Sequence, residues 1–177
     1  GPGVIHTADK PVKSIADMKG LKLRAPTRQV TKLLASLSAT PVGMPLPGIP
    51  DALSKGTIGG CVIPWEVVPS VKVHELTKYH AEFDPAGGAL YTLTFVMAMN
   101  KAKYNSLPAD LKKIIDNNSG MATSAWLGKV QQGGDAAGRK AASDRGNTIF
   151  TVSAAEAQEF RRKSRAIEVE WVEDMNK

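Results

Sequence analysis

The sequence predicts an α/β fold. Two observations carry that expectation. Short apolar-alternating runs bounded by Gly and Pro recur along the chain, and stretches of helical spacing opened by Ser or Thr caps lie between them. With 42% hydrophobic and 23% charged residues, the 177-residue chain has a folded composition and the length for one domain or two small lobes.

Taken in order, "SIADMKG" reads as a short helix, with Ser14 and Asp17 spaced as a capping box and Gly20 ending it. "LKLRA" alternates Leu21 and Leu23 with Lys22 and Arg24, a strand with one apolar face. Thr27 then caps a helix whose Val30, Leu33, Leu34 and Leu37 share one side. "PDALSKG" is a further short helix, and "TIGGCVI" a short strand interrupted by Pro64. "WEVVPSVKVHELTK" is mixed, with Pro69 breaking any long helix. "ALYTLTFVMAMN" is the most strand-like run of all, rich in β-branched and aromatic residues. "LPADLKKIIDNNSG" predicts a helix, and a long alanine-rich helix is expected from Met121 to about Arg145. "NTIFTV" is a strand, and Ser153 with Glu156 opens a last helix expected to bury Phe160, Ile167 and Trp171.

Lys and Arg outnumber Asp and Glu by 23 to 17, for a net charge of +6. That excess suits nucleic acid, an acidic membrane surface or small anions, and alone it selects none. The basic run "RRKSR" lies among glutamates and lacks interleaved aromatics, so it reads as a solvated helix face and no nucleic-acid partner is expected. "GGDAAG" lacks the Lys-Ser/Thr pair of a phosphate loop and sits in a helical stretch; a thin face for close packing fits better. His74 and His80 are badly spaced for one metal face, with Cys61 far off in sequence, so no metal and no cofactor is expected. Cys61, the single cysteine, reads as a small buried residue of a strand, though a Cys/His pair acting on a small acid is a rival reading. Residues 1–20 lack the pattern of a signal peptide, and the apolar run from Ala86 to Met99 is too short to span a bilayer. Both termini look abrupt, which suggests a fragment.

Arg24 stands apart. It falls at the carboxyl end of its strand, where ligands collect in open α/β sheets, and the helix start at Thr27 follows at once. A guanidinium beside free helix amides is a receptor for a carboxylate: planar, bidentate and permanently charged. "VIPWE" also follows a strand, so Trp65 is a candidate apolar wall, against the alternative of a plain core residue.

"MKGLKLRAP", "PVGMPLPGIPDALSKGTIGG" and "MNKAKYNSLPADLKKII", in that order, resemble the C-terminal half of tripartite ATP-independent periplasmic (TRAP) transporter substrate-binding proteins. The likeness extends over essentially the whole chain. It implies a periplasmic-binding-protein-like lobe with a mixed sheet flanked by helices, plus a strand and long helix crossing toward a first lobe absent from the chain. Residues 1–92 would form the second lobe, 93–133 the crossing strand and helices, and 134–177 the return strand and C-terminal helix.

The resemblance makes Arg24 the clamp on the ligand carboxylate. Gly59 stands where the family commonly has Asp, and "IPWE" is like members that take aromatic or branched oxo-acids. From these, the expected site is Arg24 aided by amides near Thr27, with Ile63 and Trp65 shaping an apolar pocket and Tyr91 or Thr92 contributing from the crossing strand. The function expected is a non-enzymatic periplasmic protein that captures a small organic carboxylate and delivers it to TRAP membrane subunits. A ligand sensor with the same pocket is the alternative. The chain by itself is expected to self-associate.

Overall fold

The structure is a computed structural model that describes residues 1–177. Its centre is a six-stranded mixed sheet of β1 (Val4–Thr7), β2 (Lys22–Ala25), β3 (Thr40–Gly43), β4 (Gly60–Ile63), β5 (Tyr79–Phe83) and β6 (Thr148–Val152), in the order β3-β2-β4-β1-β5-β6. β2 runs parallel to β3 and β4, and β5 parallel to β6, while β1 lies antiparallel between β4 and β5.

The period-2 alternation of the strands builds two cores, one on each face. Ile5, Leu23, Ala25, Val62 and Ala81 face the first, closed by α1 (Ile15–Met18), α2 (Arg28–Ser36) and α8 (Ala154–Met175) through Met18, Leu34 and Phe160. Val4, Cys61 and Ile63 face the second, closed by α3 (Ile49–Ser54), α4 (Val73–Leu76) and α7 (Met121–Asp144). Arg24 falls between Leu23 and Ala25 on β2 and so points to this second face. Because both faces are covered, β2 is buried from Leu23 to Ala25 and does not keep the single apolar face its alternation suggested.

Local signals hold where they are self-contained. Ser14 and Asp17 form the reciprocal capping box, Thr27 Oγ1 accepts from the Val30 amide at 3.2 Å, and Ser153 caps α8. α7 begins and ends close to the expected positions. Two of the three glycines of "GGDAAG" form a packing face: a Cβ on Gly138 would lie 1.9 Å from the Trp65 carbonyl oxygen, and one on Gly134 2.8 Å from Glu66 Cβ. The thin side of α7 therefore rests directly on the 3₁₀ turn Trp65–Val67.

Two expectations fail. "ALYTLTFVMAMN" forms no strand; its backbone link to the sheet is the Gly3 amide donating to the Tyr91 carbonyl at 2.9 Å. A strand exists only through a partner's hydrogen bonds, and within these residues Phe95, Val96 and Met97 have none and lie exposed. Trp171 is likewise 48% exposed on the outer part of α8, beyond the reach of the core that buries Phe160. The sequence reading also passed over β1, β3 and β5, each four or five residues long. α5 (Lys101–Asn105) and α6 (Ala109–Asn117) bury no residue at all. No helix is long and apolar enough to cross a membrane.

Candidate functional site

The carboxyl ends of β2 and β4 lie side by side, with Arg24 opposite Cys61 in the register. Arg24 is only 5% exposed. Its Nε donates to the Met44 carbonyl at 3.1 Å, which anchors the stem of the guanidinium and leaves the two Nη groups without a hydrogen bond to protein. No carboxylate of the chain forms an ion pair with it. Burial lowers the proton affinity of Arg24, opposed by the neighbouring Cys61 and Tyr91. An enclosed cation without a counter-charge is costly, and proteins keep such groups where an anion completes them.

Tyr91 reaches the same neighbourhood from the loop after β5. Its ring covers Gly3, where a Cβ would come within 2.1 Å of a ring carbon, and its Oη is buried with no hydrogen-bond partner. Burial, then Cys61, pushes the phenol up, Arg24 pulls it down and Glu66 pushes it up again. It is a neutral donor beside a fixed cation.

The other expected residues divide between two places. Ile63 is the last residue of β4, its side chain inside the second core. Trp65 is also enclosed there. Its Nε1 donates to Glu82 at 2.8 Å, Glu82 is held in turn by Arg139 of α7, and its ring lies about 5 Å from the rings of both His6 and His80. Protein thus covers the indole in this structure. Thr27, Tyr91 and Thr92 instead line a cleft of about 730 Å³ between α2, the 88–94 segment and α8, together with Phe83, Arg161 and Trp171. Arg24 does not open into it. Tyr91 is the one predicted residue that belongs to both neighbourhoods.

Cys61 is fully buried and burial pushes its thiol up to about 12. His6 is its cross-strand partner, yet both nitrogens of that ring are engaged elsewhere, to His80 and to the Ile63 carbonyl. No base is directed at the sulfur. The histidines and acidic residues form no group of three that could hold a metal ion. Sequence reasoning missed His6 and His80 as a pair because β1 and β5, which oppose them, were not read as strands.

A mixed sheet covered on both faces, with an uncompensated guanidinium at one end, is the build of a solute-binding lobe. The chain belongs to the family described as bacterial extracellular solute-binding protein, family 7, which it matches over residues 2–174. The resemblance to TRAP solute-binding proteins therefore holds. A TRAP solute-binding protein from Rhodoferax ferrireducens, solved with copurified benzoate, is 72% identical and superposes with a TM-score of 0.95, covering 99% of this chain and 55% of that one. A marine metagenome TRAP protein specific for aromatic acid ligands, with 3-hydroxybenzoate, is 47% identical at a TM-score of 0.92, covering 99% and 55%. A third, from Bordetella bronchiseptica with (R)- and (S)-mandelate, is 25% identical at 0.85, covering 98% and 54%. The chain thus spans about 55% of the length of these solved relatives.

Proposed function

We propose that this chain is the carboxylate-gripping part of a periplasmic TRAP receptor for a small aromatic acid, which it passes to the transporter's membrane subunits. The observation that carries the reading is Arg24: nearly buried, anchored through Nε, and without a carboxylate of its own. A ligand carboxylate would take the two Nη groups side-on, the geometry in which a planar fork binds best. Tyr91 Oη would donate to the same carboxylate. Ile63 and Trp65 would act as the fixed apolar backing of the site, and the Thr27 helix start would add its field at closer range to Tyr91. Aromatic acids are the class favoured, because the relatives solved with benzoate and 3-hydroxybenzoate share 72% and 47% of their residues with this chain.

The exposed apolar run Phe95–Met97 and the outer face of α8 would be covered by the rest of a protein of the relatives' length. The 177 residues alone would bind weakly and self-associate through those faces. Titration calorimetry on a protein of that length carrying this chain tests the reading. Benzoate and 3-hydroxybenzoate should bind at least about tenfold tighter than glucuronate, and Arg24→Ala should abolish binding of all three. Unchanged benzoate affinity in Arg24→Ala would overturn it.

A further inference from the structure

His6 and His80 face each other across β1 and β5 at the centre of the sheet, with Nδ1 to Nδ1 at 2.7 Å. Both are fully buried. His6 Nε2 lies 3.1 Å from the Ile63 carbonyl, and His80 Nε2 lies 3.0 Å from Asn147 Nδ2, which also donates to the His74 carbonyl at 2.8 Å.

These contacts determine where every proton sits. A carbonyl only accepts, so His6 carries its proton on Nε2 and presents a bare Nδ1. The proton between the rings must then belong to His80 Nδ1. That leaves His80 Nε2 bare, which is what the Asn147 amide requires. The result is one directed chain, from the Asn147 amide through His80 and His6 to the Ile63 carbonyl at the end of β4, with both rings neutral and Asn147 held by its second donation to the His74 carbonyl on α4.

We propose that His6, His80 and Asn147 are positioning residues of the ligand site, a hydrogen-bond chain with a single permitted proton arrangement that fixes the carboxyl end of β4 beside Arg24. The chain ends on Ile63, two residues after the partner of Arg24 in the register. Trp65 packs against both rings, so the turn that carries α7 is set by the same cluster. This rests on Arg24 being the carboxylate clamp.

An added proton has nowhere to go. On His6 Nδ1 or on His80 Nε2 it would set two donors face to face. The charged and titratable groups around the rings offer no compensation. His74 on α4 opposes charge on His80, Cys61 on β4 is protonated, and Glu82 on β5 is committed to Trp65 and to Arg139 on α7. Burial, then the facing His80, depresses His6 from the ordinary 6.5 to about 3; burial, then His74, depresses His80 to about 4. Between those values and 6.5 the unfolded chain binds more protons than the folded one. Stability from the pair is therefore full above about pH 6.5 and is lost as pH falls toward 4 and 3.

Nitrogen-15 NMR of the imidazoles tests the arrangement in the unmutated protein. The expected result is Nε2–H for His6 and Nδ1–H for His80, both rings staying neutral down to about pH 5. Reversed tautomers, or a ring titrating near 6.5, would overturn it. The positioning role is read from benzoate affinity at pH 7.5 in the protein of full relative length. His80→Phe keeps an apolar ring but removes the Nδ1 donor, and should weaken binding about tenfold. His80→Asn places an amide donor where Nδ1 was, and should stay within about threefold of the parent. Equal loss in both variants, or no loss in either while Arg24→Ala abolishes binding, would refute the positioning role and leave the clamp standing. Unchanged binding in Arg24→Ala would instead remove the clamp itself.

Discussion

Two regions of this chain hold similar apolar side chains and treat them in opposite ways. Through residue 88 the chain supplies five of the sheet's six strands and buries Val4, Leu23, Leu34, Cys61 and Ile63 between helices on both faces. From Leu93 to Val130, Phe95 is 67% and Met97 91% exposed, and Trp126 and Val130 also lie open to solvent. The difference does not lie in composition. It lies in whether a partner surface is present within the same residues, since burial and strand pairing are both properties of pairs.

The largest effect is expected at the helix that belongs to both regions. α7 meets the Trp65 turn through Gly138 and Gly134, and there is no room between them for a side chain. Gly138→Leu should destabilise the fold by about 4 kcal/mol or more, or prevent folding, as read by urea unfolding. A loss below about 1 kcal/mol would mean that α7 is not held at this seat.

A paired substitution sharpens the contrast. Leu34→Ala empties part of the first core and should cost about 2–5 kcal/mol, whereas Phe95→Ala should change unfolding of this chain by less than about 0.5 kcal/mol. Equal effects would erase the distinction between the regions. A smaller change is expected at the site. Arg24→Met replaces an uncompensated enclosed cation with an apolar chain of similar length, so the unliganded fold should be unchanged or more stable by about 1 kcal/mol, while carboxylate binding is lost. Destabilisation by several kcal/mol would show that Arg24 serves the fold instead.

How far the sequence was readable follows the same division. Caps, glycine stops and the length of α7 are local, so Ser14, Thr27 and Ser153 could be assigned from neighbouring residues alone. The position of Arg24 near the carboxyl end of its strand was readable because the strand and the following cap are contiguous. The strands β1, β3 and β5 were missed because each is only four or five residues, and "TPVG" carries a proline and a glycine. Their strand character comes from neighbours distant in sequence. "ALYTLTFVMAMN" misled for the converse reason: strong strand propensity, but no partner among these residues. The His6–His80 pair was out of reach, since it requires the antiparallel register of two strands 74 residues apart. Trp65 could be placed after a strand, but its direction could not. That direction depends on Glu82, the two imidazoles and the bare face of α7.

A carboxylate has two cations to choose between, Arg24 and the Arg161 of the cleft beside α8, and it should bind at Arg24. A crystal structure of a protein of the relatives' length, carrying this chain and grown with benzoate, decides between them. Both carboxylate oxygens should lie within about 3 Å of the Arg24 Nη atoms, with Tyr91 Oη on one of them. Benzoate held by Arg161 among Phe83, Phe160 and Trp171, with Arg24 still bound only to Met44, would contradict it.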